Sequence, residues 1–599
     1  MNTRRQFLLQ APIGVLAAAA ACRGDTPTPA TISTPGAPPT FGTSAAAGPT
    51  VTANSFAAAE TLMQVRMTDA ERTQAAANWR TSMAGTLERR TGPRIVPLDD
   101  TMVPASQWNP AVAGAPRGST RDRFVRTVVN PRPLPASDSA IAFAPVTQLA
   151  RWIETRQLTA ERLTNIYLAR IARLDATLRS VITVTRDLAL TQARAADAEI
   201  AAGRYRGPLH GIPYGVKDLL DTAGIATTYG ADIYRDRVPS ADAVVVKRLH
   251  DAGAVLIAKL SLGALALNDI WFGGQTMNPW LPEEGASGSS AGPGAATAAG
   301  LVAFSIGSET GGSIISPAMR CGVTGLRPTF GRVPRTGAMT LCWSFDKLGP
   351  MTRSVEDAML VLRAISGPDA GDVGSVPSTL DYDANGSVKG LRVGYFPTWM
   401  QQHPATEVDR AALEAVRALG MVPTEVSLPD WPYGALTLLI FAEAAAAFEE
   451  LTLSGKTSQL TSQTNDSWPN LFRQARFLSA VDFVQADRFR RRVANEMARI
   501  FTEVDVLLVP SLRDEMLTLS NATGHPSLTL RAGFVQVSDA RSDWAPNPER
   551  PLPHFNTPRR VPHGITLLGR LFDDGLVGQV GVALERHFNV AGENPPGFA

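Results

Sequence analysis

Two serine-bearing, glycine-rich runs, Gly285-Ala-Ser-Gly-Ser-Ser-Ala-Gly-Pro293 and Gly307-Ser-Glu-Thr-Gly-Gly-Ser-Ile314, follow a lysine in Gly211-Ile-Pro-Tyr-Gly-Val-Lys-Asp218. Any fold of this chain has to bring two turns free of bulky side chains together with that lysine. Thr310-Gly-Gly-Ser313 offers consecutive backbone N–H groups that can converge on a developing oxyanion beside a serine hydroxyl. The oxyanion and substrate-binding set is therefore Thr310, Gly311, Gly312 and Ser313, with Ser313 the natural nucleophile. A serine hydroxyl needs a base, usually histidine, and Ser-Lys arrangements are an established alternative. No histidine lies near either run. Lys217 is predicted at a strand end, where burial disfavours the ammonium form and frees a lone pair to accept a proton. Ser289 is placed to carry a proton from Ser313 to Lys217 and back to a leaving amine.

These residues resemble the amidase signature family of serine hydrolases, which use a Ser-cis-Ser-Lys triad, over residues 145 to 595. The family lysine falls on Lys217, its relay serine on Ser289 and its nucleophile on Ser313. The intervals between the three are of the size the family shows, which disfavours Ser290 as the relay. Further matching pieces are Asn278-Pro-Trp280, Pro317-Ala318, Cys321-Gly-Val-Thr-Gly-Leu-Arg-Pro-Thr329 and Gly331-Arg-Val333. The resemblance implies a cis peptide between Gly288 and Ser289, with Gly288 easing the steric crowding. It implies a single catalytic domain on a large, twisted, mixed sheet of about eleven strands with helices on both faces, and a triad at the sheet's edge in a pocket.

Two departures stand out. Many members carry arginine two residues after the nucleophile and aspartate four before it, whereas this chain has Ile315 and Glu309, so an ion pair between those positions is unavailable. Ala291-Gly-Pro293 stands where Gly-Gly-Ser is common, which alters the hydrogen bonding behind the relay serine and leaves the triad intact.

The amino terminus gives a second signal. Asn2-Thr-Arg-Arg-Gln-Phe-Leu-Leu9 leads into an apolar run ending at Cys22, which reads as a twin-arginine export signal over residues 1–22, too short to span a bilayer comfortably. Ala20-Ala-Cys22 resembles a lipoprotein processing site, although Ala19 stands where leucine is usual. Lipidation of Cys22, simple cleavage and retention of the helix all stay open. The expected location is exported, either periplasmic or membrane-anchored through an N-terminal lipid. Residues 23–55 are rich in Thr, Pro, Ala, Gly and Ser and are expected to form a disordered tether. Residues 56–140 read as an extension, helical from 56 to about 92 with the capping box Thr68-Asp-Ala-Glu71 opening a run through Trp79 and Met83, and irregular from about residue 93, with the catalytic domain over 141–599. Arg121, Arg123 and Arg126 read as solvated or salt-bridged surface.

With 599 residues, 44% hydrophobic content and a net charge of +2, the chain can bury one large core, and the charge argues against a nucleic-acid partner. Arg490-Arg-Arg492 reads as the solvent face of a helix. Cys321 and Cys342 read as free, buried thiols, and His210 as a structural hydrogen-bonder. No paired-ligand histidine spacing occurs, so neither metal nor cofactor is expected.

Periodicity places two helices between Val146 and Leu174 with Thr159 as a cap, a helix over Leu188 to Ala202, and others over 242–252, 408–419 and 480–501. Short strands fall at 255–258, 301–306, 391–396, 422–426, 506–510 and 565–568. Residues 397–480 carry Trp399, Trp431, Phe441, Phe448, Trp468 and Phe472 and are expected to close part of the pocket; each aromatic reads as core packing before it reads as an acyl contact.

The implied activity is hydrolysis of a carboxamide C–N bond through an acyl-serine, giving a carboxylate and ammonia or an amine. The alternatives are the glutaminase subunit of a tRNA-dependent amidotransferase, an inactive surface-anchored binding protein on the same scaffold, and an esterase. The partners are a small-molecule or peptide amide substrate and no nucleic acid. A membrane contact arises only through the lipid anchor or signal segment, and a homodimer is left open.

Overall fold

The computed structural model describes residues 46–91, 94–98, 116, 118–130, 132–543 and 551–598. The twin-arginine segment, Cys22 and the tether as far as residue 45 lie outside the described residues.

The body of the molecule is an α/β layer structure around an 11-stranded sheet. In chain order its strands are β1 (Val181–Val184), β2 (Pro213–Lys217), β3 (Val255–Leu260), β4 (Phe304–Glu309), β5 (Thr324–Arg327), β6 (Lys347–Thr352), β7 (Arg392–Tyr395), β8 (Val422–Glu425), β9 (Val506–Pro510), β10 (Ser527–Asp539) and β11 (His554–Gly569). Their spatial order is β8-β7-β9-β11-β10-β5-β6-β4-β2-β3-β1. The sheet is mixed: β2 runs parallel to β3 and β4, whereas β4, β6, β5 and β10 alternate in direction. β2, β3 and β9 are buried along their whole length, as strands covered by helices on both faces must be, and their apolar runs have no polar alternation.

The helices follow from their caps and stripes. Thr68 and Glu71 form a reciprocal capping box at the start of Asp69–Ser82, and the Thr159 hydroxyl accepts from Arg162 N at the start of Ala160–Leu178. Val146–Glu154 buries Val146, Leu149, Trp152 and Ile153, and its first turn is capped from outside by Asp357, which accepts from Val146 N and Thr147 N at 2.8 and 3.0 Å. The first described helix, Ala53–Met63, opens on a capping box between Thr52 and Ser55, so ordered structure begins inside the stretch expected to be tether. It packs with Asp69–Ser82, which in turn docks on Trp468–Ala475 through a hydrogen bond from Gln474 Nε2 to Ala75 O at 2.8 Å.

Two further readings are revised, and that of the aromatics of 397–480 as core packing holds. The stretch after residue 93 contains a strand, Arg123–Val125, parallel to Asp381–Asp383, and Arg121 and Arg123 pair with Asp381 at 2.9 and 3.0 Å. Arg490 is not on a solvent face: it is buried, ion-paired to Asp487 and lies over the Phe345 ring. The aromatics of 397–480 are largely core, with Trp468, Phe472 and Phe448 in a stacked column and Trp399 packed on Phe396. Cys321 and Cys342 are free and buried, and His210 is buried with Nδ1 accepting from Arg206 N.

Candidate active site

β2 and β4 are parallel neighbours, so their carboxyl ends open on the same side of the sheet, where α/β folds place their sites. Lys217 is the last residue of β2, and Ser308 and Glu309 end β4. Two strands, β3 and β1, lie outside β2, so the lysine sits at strand ends within the sheet and not on an edge strand. That corrects the expectation of an edge position.

Lys217 is fully buried. Its Nζ lies 2.7 Å from Ser289 Oγ, 3.1 Å from Ser290 Oγ and 2.9 Å from Ser308 Oγ. No carboxylate among the described residues is within ion-pair reach of it; the adjacent Asp218 is turned away and pairs with Lys259 at 3.0 Å. Burial, only partly opposed by Asp346 and Glu309, pulls the Lys217 amine well below its ordinary value, which favours the form able to accept a proton.

The two adjacent serines are not equivalent. Ser290 Oγ donates to Ser308 O at 3.0 Å and accepts from Ser308 N at 3.1 Å, so its hydroxyl is committed to β4. Ser289 Oγ makes the shorter approach to Lys217. The Gly288–Ser289 peptide is cis. A Cβ on Gly288 would meet Asn268 O at 2.0 Å, so the turn admits only glycine there. Ala291-Gly-Pro293 opens the wholly buried helix Ala291–Ala298, where a Cβ on Gly292 would strike Ser261 N at 2.4 Å. Gly292, which this chain shares with the common pattern, thus permits a close approach of the helix to the end of β3.

Ser313 is brought to the same place by a backbone contact, Ser290 N donating to Ser313 O at 3.1 Å. It is partly exposed, as is Gly311, and Gly312 adopts φ 120°. The N–H groups of Gly311, Gly312 and Ser313 meet no protein acceptor among the described residues, which leaves them free for a ligand oxygen. Thr310 is fixed by its hydroxyl donating to Asp346 Oδ1 at 2.5 Å.

Glu309 is the informative departure. Its Oε2 accepts from Ile314 N and Ile315 N at 2.7 and 2.9 Å, and its Oε1 accepts from Arg327 Nη1 at 2.7 Å and Asn521 Nδ2 at 2.8 Å. With Ile at position 315, the cation that pairs with Glu309 is Arg327 on β5. Arg327 and these hydrogen bonds outweigh burial and keep the Glu309 carboxyl below its ordinary value.

A cavity of about 270 Å³ adjoins the group, lined among others by Leu219, Ser308, Thr310, Met339, Trp343 and Leu348. Its charged walls are already paired: Arg335 donates from N, Nε and Nη2 to Asp372, and Asp346 takes Thr310 Oγ1, Leu341 N and Cys342 N. No residue of 397–480 lines it, whereas Trp343 stands half exposed at it. No cluster among the described residues is suited to hold a metal ion.

Of the residues named from the sequence, Lys217 and Ser289 are joined by a hydrogen bond, and Ser313 is tied to the neighbouring Ser290 through its backbone carbonyl. Sequence reasoning does not single out Ser308, Arg327, Asp346 or Asp543, although Ser308 lies inside the second glycine run and Arg327 inside the matching piece Cys321–Thr329.

The Amidase family model matches residues 162–577, and the chain belongs to the amidase family of hydrolases. It is 37% identical over 466 residues to a putative amidase, AmiD, of Mycobacterium bovis, covering 77% of this chain and 97% of that one. It is 34% identical over 472 residues to one of the subunits of the glutamyl-tRNA(Gln) amidotransferase of Chloroflexus aurantiacus, covering 74% and 96%. Among solved structures, the native peptide amidase of Stenotrophomonas maltophilia superposes with a TM-score of 0.64 at 29% identity, over 76% of this chain and 98% of the other.

Proposed function

We propose that this protein hydrolyses the C–N bond of uncharged carboxamides through an acyl-enzyme on Ser313. The observation that carries the reading is the Lys217 amine: buried, without a carboxylate partner, and 2.7 Å from Ser289 Oγ. Neutral Lys217 takes the Ser289 proton as Ser289 takes that of Ser313, and Ser313 Oγ attacks the carbonyl carbon. The N–H groups of the Gly311–Ser313 turn receive the oxyanion. The proton returns through Ser289 to the nitrogen as the C–N bond breaks, releasing ammonia or an amine. Water then enters, gives its proton to the same relay, and releases the acid from Ser313.

The similarity to part of an amidotransferase supports a glutaminase as the second reading. The paired walls of the cavity favour the first, because a zwitterionic amino acid would enter with two charges and meet none free. The N-terminal sequence supports action outside the cytoplasm, with Cys22 lipid-modified, removed by cleavage or retained with its helix; mass spectrometry of the N-terminus from membrane and soluble fractions distinguishes the three.

The test is ammonia and amine release across aliphatic, aryl, fatty-acyl and peptide amides, with Ser313→Ala as control. Turnover abolished in the variant supports the reading. Turnover within tenfold of the parent in Ser313→Ala removes it.

A further inference from the structure

The turn that presents Ser289 is held from the far end of the chain. Asp543, just beyond β10, accepts from Gly288 N at 2.7 Å and from Ser287 Oγ at 2.9 Å through the same oxygen, Oδ2. Asp269 accepts from Ser287 N at 3.2 Å and is itself fixed by Gln275. Two carboxylates therefore take both backbone N–H groups and the hydroxyl of the two residues immediately before Ser289. Ser287 is left-handed, with φ 66°, a conformation that a serine keeps only when its surroundings enforce it.

The group behind this turn is built and not accidental. Arg320 Nη2 reaches Asp543 Oδ1 at 3.4 Å, and its Nη1 donates to Gly285 O and Arg541 O. Arg541, two residues before Asp543, donates to both oxygens of buried Glu284 at 2.6 to 3.1 Å. Asp543 thus arrives at the turn on a segment pinned at a buried ion pair, and its own side chain is 12% exposed. None of these groups touches Lys217, Ser313 or the cavity lining, so the proton relay does not use them.

We propose that Asp543 is a positioning residue for the relay: together with Asp269 it holds the Ser287–Gly288 backbone so that the Ser289 hydroxyl stays on Lys217. The inference rests on Ser289 being the relay. It requires that loss of Asp543 slow the chemical step without weakening substrate binding, because the cavity is untouched while the relay loses its register. Misplacement of a catalytic group on the ångström scale costs on the order of a hundredfold in rate.

The experiment measures kcat and KM of Asp543→Ala, Asp543→Asn, Ser287→Ala and Ser289→Ala on an amide the parent turns over, with thermal melting for each. The expected result for Asp543→Ala is a fall in kcat of about ten- to a hundredfold with KM within about twofold. Asp543→Asn, which keeps an acceptor oxygen, recovers part of that loss, and Ser287→Ala, which removes one of the three donors, loses less than Asp543→Ala. A parent-like kcat in Asp543→Ala overturns the proposal, as does a rise in KM that accounts for the whole loss. If Asp543→Ala does not fold, the Asn and Ser287 variants carry the test: parent-like kcat in both overturns it. Parent-like turnover in Ser289→Ala shows instead that the relay reading has failed.

Discussion

Arg327 Nη1 donates to Glu309 Oε1 across 2.7 Å with both side chains fully buried, and the other carboxylate oxygen holds the two amides that follow Ser313. The geometry makes this ion pair the anchor of the turn that carries Ser313. Removing the cation alone leaves an uncompensated charge in the core. Arg327→Met is expected to lower unfolding free energy by about 3–5 kcal/mol, whereas Arg327→Met combined with Glu309→Gln recovers part of it. Urea unfolding of the two variants checks this, and equal losses in both would remove the claim.

Ser289 and Ser290 both lie within reach of Lys217, but only Ser290 is tied on both sides to Ser308. Ser289→Ala is expected to lower kcat at least about a hundredfold, the scale of lost proton transfer. Ser290→Ala, whose hydroxyl serves the backbone, is expected to retain at least about a tenth of parental kcat while melting at a lower temperature. Steady-state kinetics with both variants decides, and a reversed order would exchange their roles.

How much of this can be read from the chain itself varies with distance along it. Thr68 and Glu71, or Thr159, mark helix starts because the cap and the turn it serves are neighbours in sequence. Lys217, Ser289 and Ser313 are legible because each sits in a glycine-rich or strand-end pattern of its own. Arg327 as partner of Glu309, and Asp543 as partner of Gly288, leave no such trace, since sheet order alone brings them together. Arg490 misleads for the same reason: its burial is set by Asp487 and Phe345, not by the polarity of its run. The outer half of β11 is largely exposed and polar, so only its buried inner end reads as a strand.

At the cavity beside Ser308, Arg335 and Asp372 pair with each other and Asp346 is held by three hydrogen bonds, so a charged group entering it meets no uncommitted partner. Uncharged amides are expected to exceed glutamine in kcat/KM by at least about a hundredfold, since a desolvated, unpaired charge costs several kcal/mol. Competition assays with ammonia detection give the ratio. Glutamine as the better substrate would favour the glutaminase reading.

Lys347 is buried on β6 with only backbone carbonyls of Phe345 and Asn521 as acceptors. Burial, reinforced by Arg327, pulls its amine down to about 7. In the unfolded chain it titrates near 10.4, so between these values the unfolded state binds the extra proton and stability rises with pH. The parent is expected to gain about 1 kcal/mol per pH unit from 7 to 9 relative to Lys347→Met. Parallel slopes for the two proteins in denaturant midpoints at several pH values would show that Lys347 does not titrate in this window.

The 255 residues between Gly288 and Asp543 are also an interval of time. Synthesis proceeds at roughly 5–20 residues per second, so the serine turn leaves the ribosome roughly ten to fifty seconds before its last anchor. A nascent chain halted between Ser313 and Asp543 already contains Lys217, Ser289 and Ser313, yet the turn that presents Ser289 is tethered on one side only. On the proposed mechanism, alignment of the relay therefore waits until Asp543 has been made.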